Sequence, residues 1–461
     1  MINTDLIPEN FKFYSVNNWK PQLHDDIGFD KTQFISLVNR WKYLFRVKYG
    51  CKRGDLAAIA VLGMTCNHVA IIFALAELGA TAIILDVPVS TKTMHKTKAA
   101  LYAPLAFAIE DAGLAGLRGL FGTIHHEMLK KYCNVIIDEK EIDSVTEELT
   151  ERFNEPSDIL ITSSTSGSTG TPKKILFTQE EVYKISKRNI DVFKFDENSR
   201  VAHTKNMHHA SSLLTHSLPA LMVSDNHWAG PMINMPKDLT PEILLGLRRN
   251  KINRILLQNS FVIENFINSA KATGGKFEKT FLINVSGYVV PEIYVETCKE
   301  LNVEFISHFG QINGAIPLLI NHVTVDSPWI KGNLGVLPDD FYKVRDIQGH
   351  LSVACELWPE ERLVDDKLEA IMFNGCDIYM HKGTKTEMTS YELILQKSTT
   401  DYALFTDPMT SKFVVVFWEQ DQQLPPELLP LTHSVHHLDK MTFTTETKVN
   451  MEQLGAYIDV R

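Results

Sequence analysis

The chain of 461 residues carries 46 Lys and Arg against 56 Asp and Glu, a net charge of −10 with histidine neutral, and is 44% hydrophobic and 22% charged. That balance suits an ordinary water-soluble protein of at least two domains, and its sign excludes broad nucleic-acid affinity, which needs a positive footprint. Six scattered cysteines with no Cys-x-x-Cys pair exclude a disulfide framework and point to reduced thiols in the cytoplasm. The opening Met1 to Asp5 lacks the charged and apolar regions of a signal peptide. The most apolar region, Leu56 to Val87, is broken by Thr65, Asn67, His68 and Glu77, so no membrane span is expected.

In chain order, residues 30–50 have helical apolar spacing at Phe34, Val38, Trp41, Leu44 and Phe45. Gly54 to Leu62 reads as a turn into a buried strand, Asn67 to Leu78 as an amphipathic helix capped at Gly79-Ala80, and Thr81 to Leu85 as a second strand. Strand, helix and strand with short links predict a parallel βαβ unit. Leu105 to Ile109 and Asn134 to Ile137 add strands, and the acidic Glu139 to Glu155 reads as an exposed link. The basic clusters Lys42 to Arg53 and Arg248 to Arg254 read as solvated helix faces. Neither His125–His126 nor His208–His209 has a partner at helical ligand spacing, which argues against zinc.

The link leads into Thr162 to Ile175, where six of the first seven residues are Ser or Thr and Gly167 and Gly170 punctuate the run. Apolar Ile159 to Ile161 and Ile175 to Phe177 frame it, which predicts strand, loop, strand. On residue type alone two readings stand open. One is a surface loop, the usual fate of Ser/Gly clusters. The other is a polyphosphate grip, in which glycines let amide N–H groups converge on an anion and Lys173 adds charge. A Walker loop is excluded because no Gly-Lys-Ser/Thr follows Gly170, and a nucleophile elbow because Ser166 stands two residues before Ser168 where glycine is required.

Beyond the loop, Glu180 to Asp191 and Pro291 to Leu301 read as helices, and Ile252 to Leu257, Phe281 to Val285 and Val303 to Ile306 as strands. The last two deliver Ser286-Gly287-Tyr288 and Ser307-His308-Phe309-Gly310-Gln311-Ile312-Asn313 at strand ends, where open α/β sheets bind ligands. Phe413 to Trp418 is strand-like.

Thr165-Ser166-Gly167-Ser168-Thr169-Gly170-Thr171-Pro172-Lys173 resembles the signature loop of the adenylate-forming superfamily, which includes acyl-CoA synthetases, nonribosomal-peptide adenylation domains and firefly luciferase. The resemblance extends over essentially the whole chain. It implies an α/β fold: a large N-terminal domain of βαβ-built sheets packed with helices, over residues 1–376, and a small mobile α+β domain over 377–461, pivoting at Asp377. It also implies roles. Thr165 to Gly170 and Lys173 would hold the β- and γ-phosphates of ATP, and Ser286, Gly287, Phe309 and Gly310 would receive adenine. His209, in Asn206 to Leu213, would help form the acyl pocket with Gly310. Lys448, in Thr444 to Asn450, would be the catalytic lysine, and Thr169 and Asn313 would face Mg²⁺.

Departures accompany the match. Ile312 and Asn313 stand where the family has Thr and Glu, Cys376 where it has Arg, Thr447 for Gly and Thr442 for Pro, and no ribose-binding Asp is recognisable after Gly349 to Val353. The implied activity is ATP-dependent formation of an acyl- or aryl-adenylate from a small-molecule carboxylic acid, with transfer to CoA or a carrier protein's phosphopantetheine thiol. Two alternatives stay open: a nucleotide-binding member without turnover, and an amino-acid-adenylating domain. Against the second, residues 206–212 hold no Asp to pair an α-amine.

Overall fold

The computed structural model describes residues 1–15, 27–60, 64–85, 104–110, 126, 129–164, 174–205, 212–229, 233, 239–258, 260–286, 293–310, 317–326, 333–347, 350–356, 358, 362–373, 376–381, 402–406, 413–417, 424 and 432–437. In chain order its first part comprises β1 (Lys12–Ser15), β2 (Ile27–Asp30), α1 (Lys31–Tyr43), β3 (Leu56–Ala60), α2 (Cys66–Leu78), β4 (Thr81–Ile84), β5 (Phe107–Glu110), β6 (Ile136–Asp138), β7 (Ile159–Ser164), β8 (Lys174–Thr178) and α3 (Gln179–Val192). There follow β9 (Arg200–His203), α4 (Leu218–Leu221), β10 (Asn226–Ala229), α5 (Pro241–Arg249), β11 (Arg254–Gln258), α6 (Ser260–Ala272), β12 (Phe281–Ser286), α7 (Ile293–Leu301), β13 (Val303–Phe309) and β14 (Leu319–Val323).

These strands form two mostly parallel sheets, ordered β6-β5-β3-β4-β7-β8 and β14-β13-β12-β11-β9-β10-β1-β2. Only the edge strands β8, β14 and β2 run antiparallel to their neighbours. The expected βαβ unit is β3-α2-β4, with Leu56 opposite Thr81 in parallel register. One core joins the two sheets: Phe13 of the larger and Ala57, Ile59 and Phe107 of the smaller meet Phe34, Val38 and Trp41 of α1 and most of α2. Helices α5, α6 and α7 cover the outer face of the larger sheet, packing on Ile255, Leu257, Ile283 and Val285.

Being enclosed explains a difference from expectation. Helix α2 is not amphipathic: every residue except Asn67 is buried, as an apolar helix held in the interior should be. Its N-terminus carries a capping box that the sequence reading does not include, and its C-terminus the expected glycine cap. The Thr65 hydroxyl accepts from His68 N at 3.2 Å, His68 Nδ1 accepts from Thr65 N at 3.3 Å, and His68 Nε2 then donates to Glu139 at 2.9 Å. At the other end Gly79 takes a φ of 68°, and a Cβ there would stand 2.7 Å from Asp158 Oδ2 and 2.8 Å from Arg53 Cγ. Gly79→Ala therefore combines left-handed strain with displacement of the Arg53–Asp158 pair, and is expected to lower stability by about 1–2 kcal/mol in urea unfolding. A midpoint equal to wild type would contradict it.

One surface reading is corrected. Lys42 is fully buried and paired with Glu77, and Arg254 is 9% exposed, so the basic clusters are not solvated faces throughout. The 139–155 link is mostly exposed, as expected, but it is anchored. It opens with a short 3-10 helix at Glu139–Ser144, buries Ile142 and Val145, and ties back through Phe153 N donating to Glu77 O at 2.7 Å.

Downstream, β15 (Asn333–Gly335), β16 (Lys343–Ile347), β17 (His350–Ala354), β18 (Arg362–Phe373) and β19 (Cys376–His381) form a five-stranded antiparallel sheet, ordered β15-β19-β18-β17-β16. Arg188 of α3 reaches its connecting segment. The Arg188 guanidinium donates from Nε to both Asp339 oxygens, at 3.0 and 2.7 Å, and from Nη1 to Pro317 O at 2.7 Å. A separate sheet holds β20 (Tyr402–Thr406), β21 (Phe413–Phe417) and β22 (Thr432–His437). Among the described residues no helix is long and apolar enough to cross a membrane.

Candidate active site

The hydroxyl-rich segment is held by a hairpin, as its apolar frame predicts. Strands β7 and β8 pair antiparallel from Ile159 opposite Thr178 to Ser164 opposite Lys174. The nine residues Thr165 to Lys173 thus leave and re-enter the sheet at one place, the carboxyl end of a strand that runs parallel to β4. The loop residues themselves, Thr165, Ser166, Gly167, Ser168, Thr169, Gly170 and Lys173, lie outside the described residues, as do His209, Gly287, Asn313 and Lys448.

On the larger sheet the structure does bring predicted residues together. Ser286 closes β12 directly opposite His308 of β13, so the ends of these neighbouring strands carry Ser286, Phe309 and Gly310 side by side. β13 runs three residues further than its apolar core, Val303 to Ile306, suggests, because β14 pairs with it as far as Phe309 opposite Leu319. Phe309 is half-buried against Leu318, Leu319, Leu334 and Tyr342, while Gly310 is exposed just beyond the ladder. In this sheet β10 and β11 flank β9 on opposite sides, so the strand order reverses at β9, the position where doubly wound sheets open a ligand crevice. The segment carrying His209 follows β9.

Asp377 is the second residue of β19 and pairs with Met372 of β18, with Phe373 opposite Cys376 at the tip of that hairpin. The residues expected to form a hinge thus sit at the start of a paired strand, which also bonds to β15.

Sequence reasoning misses a second feature of this sheet, a line of buried histidines on its inward face. His227 Nε2 donates to Ser224 O at 2.8 Å, which leaves Nδ1 to accept from His203 Nε2 at 3.2 Å. His203 Nδ1 in turn accepts from the Ser217 hydroxyl at 3.0 Å. His216 Nε2 donates to Ala202 O at 3.4 Å, and its Nδ1 accepts from Asn284 Nδ2 at 3.1 Å. Phe13 stacks on His203 with rings 5.6 Å apart. Each ring is therefore a neutral imidazole with a fixed tautomer. Burial is the first cause: it drives His216 down to about 3, His227 and His308 to about 4, and His203 well below its ordinary value. The available signal is alternation, since Val201 and His203 fall on the same strand face. Which rings meet depends on a strand order that composition does not reveal. No cluster of three metal-ligating side chains occurs among the described residues.

Comparison with known proteins follows the same lines. No curated protein sequence matches the chain. Among solved structures, the anthranilate CoA ligase AuaEII in complex with anthranoyl-AMP superposes with a TM-score of 0.74 at 13% identity, covering 98% of this chain and 96% of that one. The O-succinylbenzoate coenzyme A synthetase MenE from Bacillus subtilis, with ATP and magnesium ion, gives 0.72 at 15%, covering 93% and 95%. ATP-bound MatB from Rhodopseudomonas palustris gives 0.72 at 14%, covering 99% of both chains. At such identities the likeness establishes a shared fold. The sequence model for the AMP-binding enzyme family matches residues 36–310, more than half of the chain and every strand from β3 to β13. The chain belongs to the AMP-binding enzyme family.

Proposed function

We propose that this protein activates a carboxylic acid with ATP, forming an acyl- or aryl-adenylate and pyrophosphate, and then passes the acyl group to a thiol of CoA or of a carrier protein. The observation that carries the reading is Thr165 to Lys173 held between the paired ends of β7 and β8, in a chain whose family binds AMP. Related folds solved with anthranoyl-AMP or with ATP are consistent with it.

In this reading Thr165 to Gly170 and Lys173 grip the β- and γ-phosphates, while Ser286, Gly287, Phe309 and Gly310 receive adenine at the ends of β12 and β13. His209 and Gly310 border the acid. Lys448 neutralises charge between the carboxylate and the α-phosphate, where it builds up as the carboxylate oxygen attacks phosphorus and pyrophosphate leaves. Such a displacement depends on positioning and electrostatics rather than covalent help. Thr169 and Asn313 offer neutral oxygen donors, the donor type Mg²⁺ takes alongside water and phosphate oxygens. Bound there, the ion would supply charge neutralisation on the triphosphate. Residues 377–461 form the lid in this reading, pivoting near Asp377 between the two half-reactions. The reaction belongs to the cytoplasm.

The test is pyrophosphate release from ATP and Mg²⁺ with a panel of fatty, aryl and amino acids. Turnover with an acyl or aryl acid is expected, and Lys448→Ala should lower kcat by about 10²–10³-fold. Nucleotide binding without turnover on the whole panel would favour a non-catalytic member, with which Ile312, Asn313 and Cys376 are as compatible as with a divergent enzyme. Turnover confined to amino acids would move the substrate class.

A further inference from the structure

His203, His216 and His227 show how this chain treats an imidazole buried for structure: every ring nitrogen has a partner. His308 is built differently. It is 4% exposed, yet among the described residues neither Nδ1 nor Nε2 has a hydrogen-bond partner. Its side chain shares the inward face of β13 with Ile306, stands opposite Ile320, and meets the Phe193 ring edge-on at 5.3 Å. Two register pairs back on β12, opposite Ile306, Asn284 donates its amide N–H to His216, and its Oδ1 is buried without a partner among the described residues.

Three such atoms thus lie within the last three residues of β12 and of β13, just before Gly310. A buried polar group left unpaired destabilises the fold, and an apolar ring among Phe193, Ile306 and Ile320 would not. A His that serves only to fill space is the costlier choice at this position. A His that completes its hydrogen bonds when a ligand arrives is not.

We propose that His308 is a positioning residue for the turn at Phe309–Gly310, and that its imidazole, with Asn284 beside it, takes a neutral hydrogen-bonding group brought into register when an adenine nucleotide binds. The proposal rests on the nucleotide-binding reading above. Burial keeps the ring neutral at pH 7, so it offers one N–H and one lone pair. An amide, hydroxyl or water matches that pair, whereas a phosphate or carboxylate would bring uncompensated charge into the interior. The Phe309 backbone, anchored by this ring on one side and by the ladder to Leu319 on the other, then holds its aromatic face at one angle.

The experiment is calorimetric titration of the full-length chain with ATP and with AMP, for wild type, His308→Phe and His308→Asn, alongside the melting temperature of each. His308→Phe should melt at or above wild type while both nucleotides bind about 3–10-fold more weakly, the loss of one neutral hydrogen bond. His308→Asn, which keeps a donor and an acceptor, should fall between. A more stable Phe variant with unchanged affinities would overturn the proposal and leave an ordinary core residue. Imidazole nitrogen-15 spectra of wild type decide the matter even if a variant fails to fold. AMP should move the His308 ring nitrogens and leave those of His227 in place, and unmoved His308 signals overturn the role. A wild-type chain that binds neither nucleotide sinks the functional reading and this role together. Normal wild-type binding with indifferent variants sinks only this role.

Discussion

Between pH 7.5 and pH 5.5 the urea-unfolding free energy is expected to fall by about 5 kcal/mol, far more than carboxylate titration accounts for. The cause is the four imidazoles of His203, His216, His227 and His308, all held neutral inside the larger sheet. Their folded pKa values lie below the ordinary 6.5, so the unfolded chain takes up protons first as pH drops. The stabilisation is therefore complete above pH 6.5 and is lost progressively below it, at about 1.4 kcal/mol per histidine per pH unit until the folded value is reached. For His227 and His308 that limit is about 4, and for His216 about 3. By pH 4.5 the loss from His216, His227 and His308 alone is roughly 8 kcal/mol, comparable with the whole stability of a typical domain. Asp5 and Glu141, whose values their partners lower, act only below the ordinary carboxylate range and do not enter this window. Urea midpoints at pH 7.5, 6.5 and 5.5 measure the slope. His308→Phe should reduce it by about a quarter, and a flat profile across that window would show that the imidazoles are hydrated or already charged.

Much of the α/β framework is legible locally, because a strand buried on both faces is an apolar run bounded by turn residues. Ala57 to Ala60, Phe281 to Val285 and the frame around Thr165 to Lys173 all read correctly for that reason. Caps are equally local: Thr178 with Glu181 at the start of α3 is visible as a four-residue pattern. What fails is whatever depends on partners distant in sequence. Lys42 looks like a surface charge until the fold delivers Glu77, and the apolar spacing of α2 cannot reveal that sheets lie on both sides of it. The histidine line needs β10, β9 and β12 brought together out of chain order. The hinge reading of Phe373 to Asp377 comes from resemblance alone, and the register adds only that Phe373 lies opposite Cys376. Of the candidate site, the strand ends bearing Ser286, Phe309 and Gly310 come from the apolar pattern, whereas their adenine role comes from resemblance alone.

Replacing Glu77 by Gln is expected to cost about 3–5 kcal/mol, because it strands a buried ammonium. Lys42 and Glu77 are each 1% exposed in their side chains and meet at 2.6 Å. The Lys42 ammonium also donates to Thr150 O at 3.2 Å and Glu151 O at 3.3 Å. Glu77 Oε1 accepts from Thr4 N at 2.8 Å, from the Thr4 hydroxyl at 2.7 Å and from Arg152 at 3.3 Å. One carboxylate therefore fastens α1, the N-terminal segment and the 149–153 stretch to α2. Losing its charge leaves Lys42 with carbonyl dipoles alone, too little to offset desolvation. Lys42→Met combined with Glu77→Leu removes both charges and should recover part of the loss. It should remain about 1–3 kcal/mol below wild type, because Thr4 N–H then has no acceptor. A double-mutant cycle in urea at pH 7.5 measures the interaction. Limited proteolysis adds a local reading, with cleavage near Thr4 rising in Glu77→Gln. A single-variant loss under 1 kcal/mol would mean that water reaches this pair and that the N-terminal segment is held by the Ile2–Gln179 contact instead.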